Sequence, residues 1–170
     1  MYAYQYLVSG ILSIFVSMYI LLKRPKTLAL KFLFLFGLTV SLWEISSFFS
    51  KLAPNVIMAT NLYKITLLTS HLCFPLYLLT ILTIQKTRNK KTLLLSFLPM
   101  VIQVFLMFQS DYFANYEFYR SKFGWIYKII NFRPSIIIVS FIFIGYLVGI
   151  FVILLSLTRT SKFPLLKRKY

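Results

Sequence analysis

Glu44, Lys64 and His71 are ionisable side chains set well inside the apolar stretches of this 170-residue chain. Carboxylate, ammonium and imidazole are the groups that form ion pairs, hold charged ligands and move protons, and each is costly to place in hydrocarbon. Glu44, one of only three acidic residues, lies in the run SLWEISSFFS. It sits six residues before the expected outer end of its helix, which the helical rise converts to about 9 Å of depth. Lys64 sits six residues in from the outer end expected for the next helix, so two antiparallel neighbours should carry opposite charges at one depth. An isolated charge at the bilayer centre costs about 3 kcal/mol on insertion scales, so pairing or a wet cavity is expected. Ser41 and Ser47 flank Glu44 at three-residue spacing on one side of the helix, where their hydroxyls can solvate the carboxylate. His71 follows Lys64 by two helical turns, pointing the same way and about 10 Å deeper. These five residues form an expected polar seam descending from the outer face. It has two readings: a device that fixes helix register, or an outer cavity that receives a ligand, an ion or a proton-linked signal.

Other chemistry is sparse. Cys73 is the single cysteine and His71 the single histidine, which rules out a disulfide within the chain, paired-imidazole haem ligation and a multi-histidine zinc site. Cys73 lies two residues from His71 and so on another helix face, where a buried thiol is the expectation. No glycine-rich phosphate loop, paired catalytic carboxylates or nucleophile with histidine and acid is visible, and the connections between apolar runs are short. The sequence therefore points to no enzyme, no cofactor and no metal.

The elements that carry these residues are set by composition. The chain is 59% hydrophobic, 19% aromatic and 13% charged, with a mean hydropathy of +0.81, outside the range of soluble domains. The fold class expected is all-α: a polytopic membrane helix bundle with about five transmembrane helices in one domain. A hydrocarbon core of about 30 Å needs about 20 apolar helical residues. Five stretches qualify: 3–22, 27–50, 58–84, 92–110 and 134–158. Their apolar runs are continuous, which disfavours a barrel.

The net charge of +16 raises the question of nucleic acid, and its distribution answers it. Thirteen of the 19 basic residues fall in the first connection, the third connection and the carboxyl-terminal stretch, leaving no basic face for nucleic acid. By the positive-inside rule those three regions are cytoplasmic, the amino terminus is outside, and the chain is a multi-pass protein of the cell membrane. The basic tail, 159–170, is expected to rest on anionic headgroups of the bilayer or to dock a partner.

The longest external segment, 111–133, has nine aromatic residues among 23, the composition of an aromatic belt or of a lid over the bundle. Gly124 divides it. Trp43 and Trp125 are the expected interfacial residues. Pro75 and Pro99 are expected to kink their helices, and Pro134 to open the last span. Gly145 and Gly149 have the spacing that lets helix backbones approach, within the chain or between copies.

The order LLKRPKT, LALKFLFLFGLTVSLWE, NLYKITLL and SKFGWIYKI resembles the amino-terminal seven-helix sensory region of prokaryotic histidine kinases. The resemblance runs from about Leu7 to Tyr170 and is carried by Trp43, Lys64, Gly124 and Trp125. It implies a receptor-like module that passes a signal through helix packing. Five spans and no phospho-accepting histidine region further imply a truncated or split module with a membrane or cytoplasmic protein partner, or a relative recruited for something else. A different class is also expected from the same features, a small structural subunit of a larger membrane complex. A transporter or channel fits least, since the inner halves of the spans lack a polar path.

Overall fold

The computed structural model describes residues 2–22, 27–84, 90–108, 110–113, 116–131 and 133–159. The helices are α1 (Tyr2–Leu22), α2 (Leu28–Leu52), α3 (Val56–Ile84), α4 (Lys90–Phe108), α5 (Ser110–Phe113) and α6 (Pro134–Arg159). A two-stranded antiparallel hairpin, β1 (Tyr116–Ser121) and β2 (Gly124–Ile129), stands between α5 and α6. Local chemistry sets the helix starts. Thr27 caps α2, its Oγ1 accepting from the Leu30 amide at 3.3 Å, and Asn55 caps α3, its Oδ1 accepting from the Met58 amide at 2.9 Å. Pro134 is the first residue of α6, where its missing amide hydrogen breaks no helical bond.

Four helices among the described residues are long and apolar enough to cross a bilayer: Ala3–Leu22, Leu28–Leu52, Val56–Ile84 and Pro134–Ser156. The fourth expected span corresponds to α4, whose described apolar stretch, Ser96–Phe108, is shorter than the others. The burial pattern is that of a membrane protein. Ser17, Ser41 and Gln103 are at most 2% exposed, whereas Phe15, Phe105 and Phe141 are 66–70% exposed. Water would drive the reverse arrangement, and lipid tails impose no such penalty on exposed apolar rings.

Small residues set the packing. α1, α2 and α3 follow one another as antiparallel neighbours, with α2 in the middle. At the α1–α2 contact a Cβ on Gly10 would lie 2.8 Å from Ile45 Cγ1, and one on Gly37 would run into the Ser17 hydroxyl. At the α2–α3 contact the Thr66 hydroxyl donates to Ser46 Oγ at 2.9 Å and Ser50 donates to the Ala59 carbonyl at 3.1 Å. The other half of the molecule is a triangle of α3, α4 and α6 around Leu78, Leu82, Tyr146 and Ile150. There the Tyr146 hydroxyl donates to the Ser96 carbonyl at 2.6 Å and ties α6 to α4.

Two expectations change. The bundle is not purely α, because the segment 111–133 contains the β-hairpin; its strands, YEFYRS and GWIYKI, are rich in the aromatic and β-branched residues that suit a half-buried pair of strands. Gly145 and Gly149 are not an intrachain packing face, since a Cβ at either would meet nothing within 4 Å. Close backbone approach occurs at Gly10 and Gly37, where hydroxyl-bearing and β-branched partners complete the surface. The basic tail expected at 159–170 lies, beyond Arg159, outside the described residues.

Overpacking a tight contact costs about 1–3 kcal/mol. Gly37→Leu is therefore expected to lower the thermal unfolding temperature of the protein in detergent by several degrees, whereas Gly145→Leu leaves that of the monomer unchanged; melting curves of the two variants decide.

Candidate functional site

Equal depth for Glu44 and Lys64 is what the helix ends give. Glu44 stands eight residues before the end of α2 at Leu52, and Lys64 eight residues after the start of α3 at Val56. Azimuth separates them. Gly37, Ser41, Glu44 and Phe48 share the face of α2 turned to α1, while Ser46 and Ser50 occupy the opposite face, toward α3. The Glu44 carboxylate takes the Ser9 hydroxyl of α1 as its side-chain partner, and its Cβ lies 3.2 Å from the position a Gly10 Cβ would occupy.

Lys64 turns elsewhere. Its Nζ lies 5.3 Å from the centroid of the Phe113 ring in α5, a cation–π contact at the hairpin end of the bundle. His71 lies on the same side of α3, as the two-turn spacing requires: its ring is 5.2 Å from that of Phe143 in α6. Nδ1 of His71 is 2.8 Å from the Leu67 carbonyl and 3.2 Å from the Ser70 hydroxyl. Nδ1 therefore carries the proton that the carbonyl accepts, and Nε2 is the remaining acceptor. The expected seam is thus two sites on opposite sides of the α2–α3 pair, and no ion pair joins Glu44 to Lys64.

The flanking serines do not solvate the carboxylate either. Ser41 donates to the Gly37 carbonyl at 2.8 Å and Ser47 to the Trp43 carbonyl at 2.7 Å. A serine in a helix satisfies itself on the preceding turn when no better acceptor lies nearby. The polar partner of Glu44 is instead Ser9 of α1, one of Gln5, Ser9, Ser13 and Ser17, which recur every four residues. That i, i+4 stripe was visible in the sequence as a signal independent of charge, since such spacing lines one helix face. Gln103, 1% exposed in α4, is a further buried polar residue that the charge pattern did not single out.

Trp125 has a definite mooring. Its Nε1 donates to the Ala53 carbonyl at 2.8 Å, which fastens the hairpin to the turn between α2 and α3. Gly124 makes this possible: at φ +99° it adopts a conformation that side chains disfavour, and a Cβ there would collide with the Lys51 backbone. Lys51 Nζ in turn lies 5.6 Å from the Tyr6 ring, so α1 joins the same end of the bundle. Trp43 is half-buried inside α2, where its carbonyl accepts from Ser46 and Ser47.

The inner face of the hairpin covers Tyr63 of α3. The Tyr63 ring lies 4.2 Å from Tyr127, 5.2 Å from Phe118 and 5.9 Å from Tyr116. The Tyr116 hydroxyl donates to that of Tyr112 at 3.3 Å. Burial holds the Tyr112 and Tyr116 phenols above the ordinary tyrosine range, so both stay uncharged at physiological pH. Among the described residues no group of three or more His, Cys, Asp or Glu comes together to hold a metal. What the arrangement offers is a carboxylate with a serine hydroxyl on one side, a cation and an imidazole on the other, and an aromatic cap above.

The split site predicts near-additive energetics: in a Glu44→Gln, Lys64→Met double-mutant cycle read by thermal stability, the coupling is expected below about 0.5 kcal/mol, where a direct pair would exceed it. The cap predicts alkaline sensitivity. A phenol whose folded pKa is raised keeps its proton when the unfolded chain has lost it, so stability falls as pH climbs through and beyond about 10. Titration at 295 nm of the protein against its Tyr112→Phe variant should assign Tyr112 an ionisation above that of an exposed tyrosine. The site rests on its own geometry, for no family model, no curated protein and no solved structure matches this chain.

Proposed function

We propose that this chain is a receptor-like module of the cell membrane that performs no chemistry of its own and signals to a protein partner through helix packing. In this reading α4 completes five spans, the amino terminus and the hairpin are outside, and the carboxyl terminus is cytoplasmic. Nucleic acid is not a partner. The distribution of basic residues supports the orientation, and the sequence's resemblance to the seven-helix sensory region of histidine kinases supports the role.

The observation that carries the proposal is the mechanical link between the hairpin and α3. The hairpin is moored to the α2–α3 turn through Trp125 and Ala53, and it grips Tyr63 from above through Tyr127 and Phe118. Below Tyr63, α3 contains Pro75, whose missing amide hydrogen removes one helical bond and makes bending cheap at that point. A load on the cap thus enters α3 above its weakest turn and leaves at the inner end near Ile84. Helix displacements of about 1–2 Å suffice for such signalling.

A second reading, a structural subunit of a larger membrane complex, is favoured by the open face at Gly145 and Gly149 on α6. A partner helix would find backbone accessible there.

Spin labels distinguish them. In a Cys73→Ser background, labels at Ile84 and Val152 report the inner ends of α3 and α6. Unmooring the hairpin with Trp125→Ala is expected to shift the interlabel distance by about 2 Å. An unchanged distance distribution in a folded variant would sink the receptor reading, and stoichiometric co-purification of a membrane partner with a Gly145→Leu-sensitive contact would support the subunit reading.

A further inference from the structure

The turn of the hairpin joins β1 to β2 through Lys122 and Phe123, both exposed, with the Lys122 ammonium 5.0 Å from the Phe123 ring centroid. Ser121 closes this turn on itself. Its Oγ accepts from the Phe123 amide at 3.1 Å, and its hydroxyl donates to the Gly124 carbonyl at 2.9 Å. Backbone groups satisfied in this way lower the cost of moving the turn out of water. Its height is fixed as well. Gly124 rests on the Lys51 backbone and Trp125 is bonded to Ala53, so the turn stands level with the end of α2, one of the four helices apolar enough to span a bilayer. Strand alternation then gives the charges a direction. Phe118 and Tyr127 meet Tyr63 and Trp125 reaches Ala53, so the face they share is turned to the bundle. Arg120 is on that face, opposite Trp125 in the register and two residues beyond Phe118, yet it is exposed. Its guanidinium therefore passes the rim of the helices toward the space a bilayer fills. The three acidic residues of the chain are placed elsewhere. Glu117 opposes Lys128 across the ladder on the other face, where the two charges offset each other. Glu44 stands inside α2, eight residues before its end, and Asp111 belongs to α5, at the opposite end of the hairpin from the turn. Arg120 and Lys122 are left as two cations at the bilayer boundary.

We propose that the hairpin turn is a lipid-docking site, in which Arg120 and Lys122 bind anionic phospholipid headgroups of the adjoining leaflet while Phe123 enters among them. The chemistry of each side chain fits that occupant. A guanidinium matches phosphate oxygens with two parallel hydrogen bonds, an ammonium adds a point charge, and an aromatic ring settles at headgroup level. A soluble protein approaching the cap would meet the other face instead, with Glu117, Tyr119 and Lys128. The inference stands independently of the receptor reading.

The test uses the full chain in a Cys73→Ser background, with a nitroxide attached through Phe123→Cys. The protein is placed in nanodiscs of phosphatidylcholine, or of phosphatidylcholine mixed with phosphatidylglycerol. Collision with oxygen and with a neutral nickel chelate reports the depth of the label. The mixed bilayer is expected to move it toward oxygen and away from the chelate. Each cation near an anionic surface favours contact by about fivefold, so Arg120→Gln with Lys122→Gln should lower the anionic preference by about 25-fold and erase the shift. Arg120→Lys with Lys122→Arg keeps both charges and should preserve it. Salt at about 1 M should erase it with the two cations unaltered, since the screening length falls to about 3 Å. A label equally exposed in both bilayers overturns the proposal. So does a shift that survives the charge-removing pair, which would assign the effect to another basic stretch of the chain. Should that pair disturb the hairpin, the salt series and the charge-keeping pair decide by themselves.

Discussion

Hydrocarbon solvent gives helices no hydrophobic reason to associate, so this bundle is held by how closely backbones can approach. α2 shows the constraint most plainly because it must satisfy two neighbours at once. Gly37 and the Gly10–Ile45 contact bring α1 against one face, and Ser46 and Ser50 hydrogen-bond α3 across the other. Nearly everything else about the site follows. A residue of α2 that packs against a neighbour does so mainly on the α1 side or the α3 side, and Glu44 packs on the first. Its separation from Lys64 is a consequence of that two-sided packing.

The hairpin adds a second level of organisation outside the helices. Two short strands are marginal alone in water, and this pair is stabilised by what it covers. Its inner rings pack on Tyr63, its indole nitrogen is satisfied by the Ala53 carbonyl, and its turn fits over Lys51 because Gly124 has no side chain. The cap is therefore built by the ends of α2 and α3, and any displacement of those ends is shared with it.

Much of this was legible in the sequence, and the limits are physical. Apolar runs of sufficient length mark the four long spans, because backbone hydrogen bonds in lipid leave few alternatives. The depth of Glu44 and Lys64 was legible too, since rise per residue is nearly constant. Their directions were not. Which face of a helix meets which neighbour depends on tertiary packing, and a three-residue spacing such as Ser41, Glu44 and Ser47 spreads over too wide an arc to settle it. The glycines show the same limit: Gly145 and Gly149 have the familiar spacing but stand open, while the close contacts belong to Gly10 and Gly37, which no motif connects. The hairpin was hidden because nine aromatics in 23 residues suit a membrane boundary and a strand equally well.

The hydroxyls along the bundle are of two kinds. Ser13 to Ser17 and Gly37 to Ser41 are closed loops, each serine on the later position donating to the carbonyl one turn earlier on its own helix. Such a surface owes nothing to the helix opposite. Translation of α1 along α2 would break no polar bond of these serines, only van der Waals contact. The bonds from Thr66 to Ser46 and from Ser50 to Ala59 are different, because they cross between helices and would be lost. α2 and α3 are thus riveted through hydroxyls, whereas α1 is held to α2 by close packing at Gly10 and Gly37 and by the contact of Glu44 with Ser9.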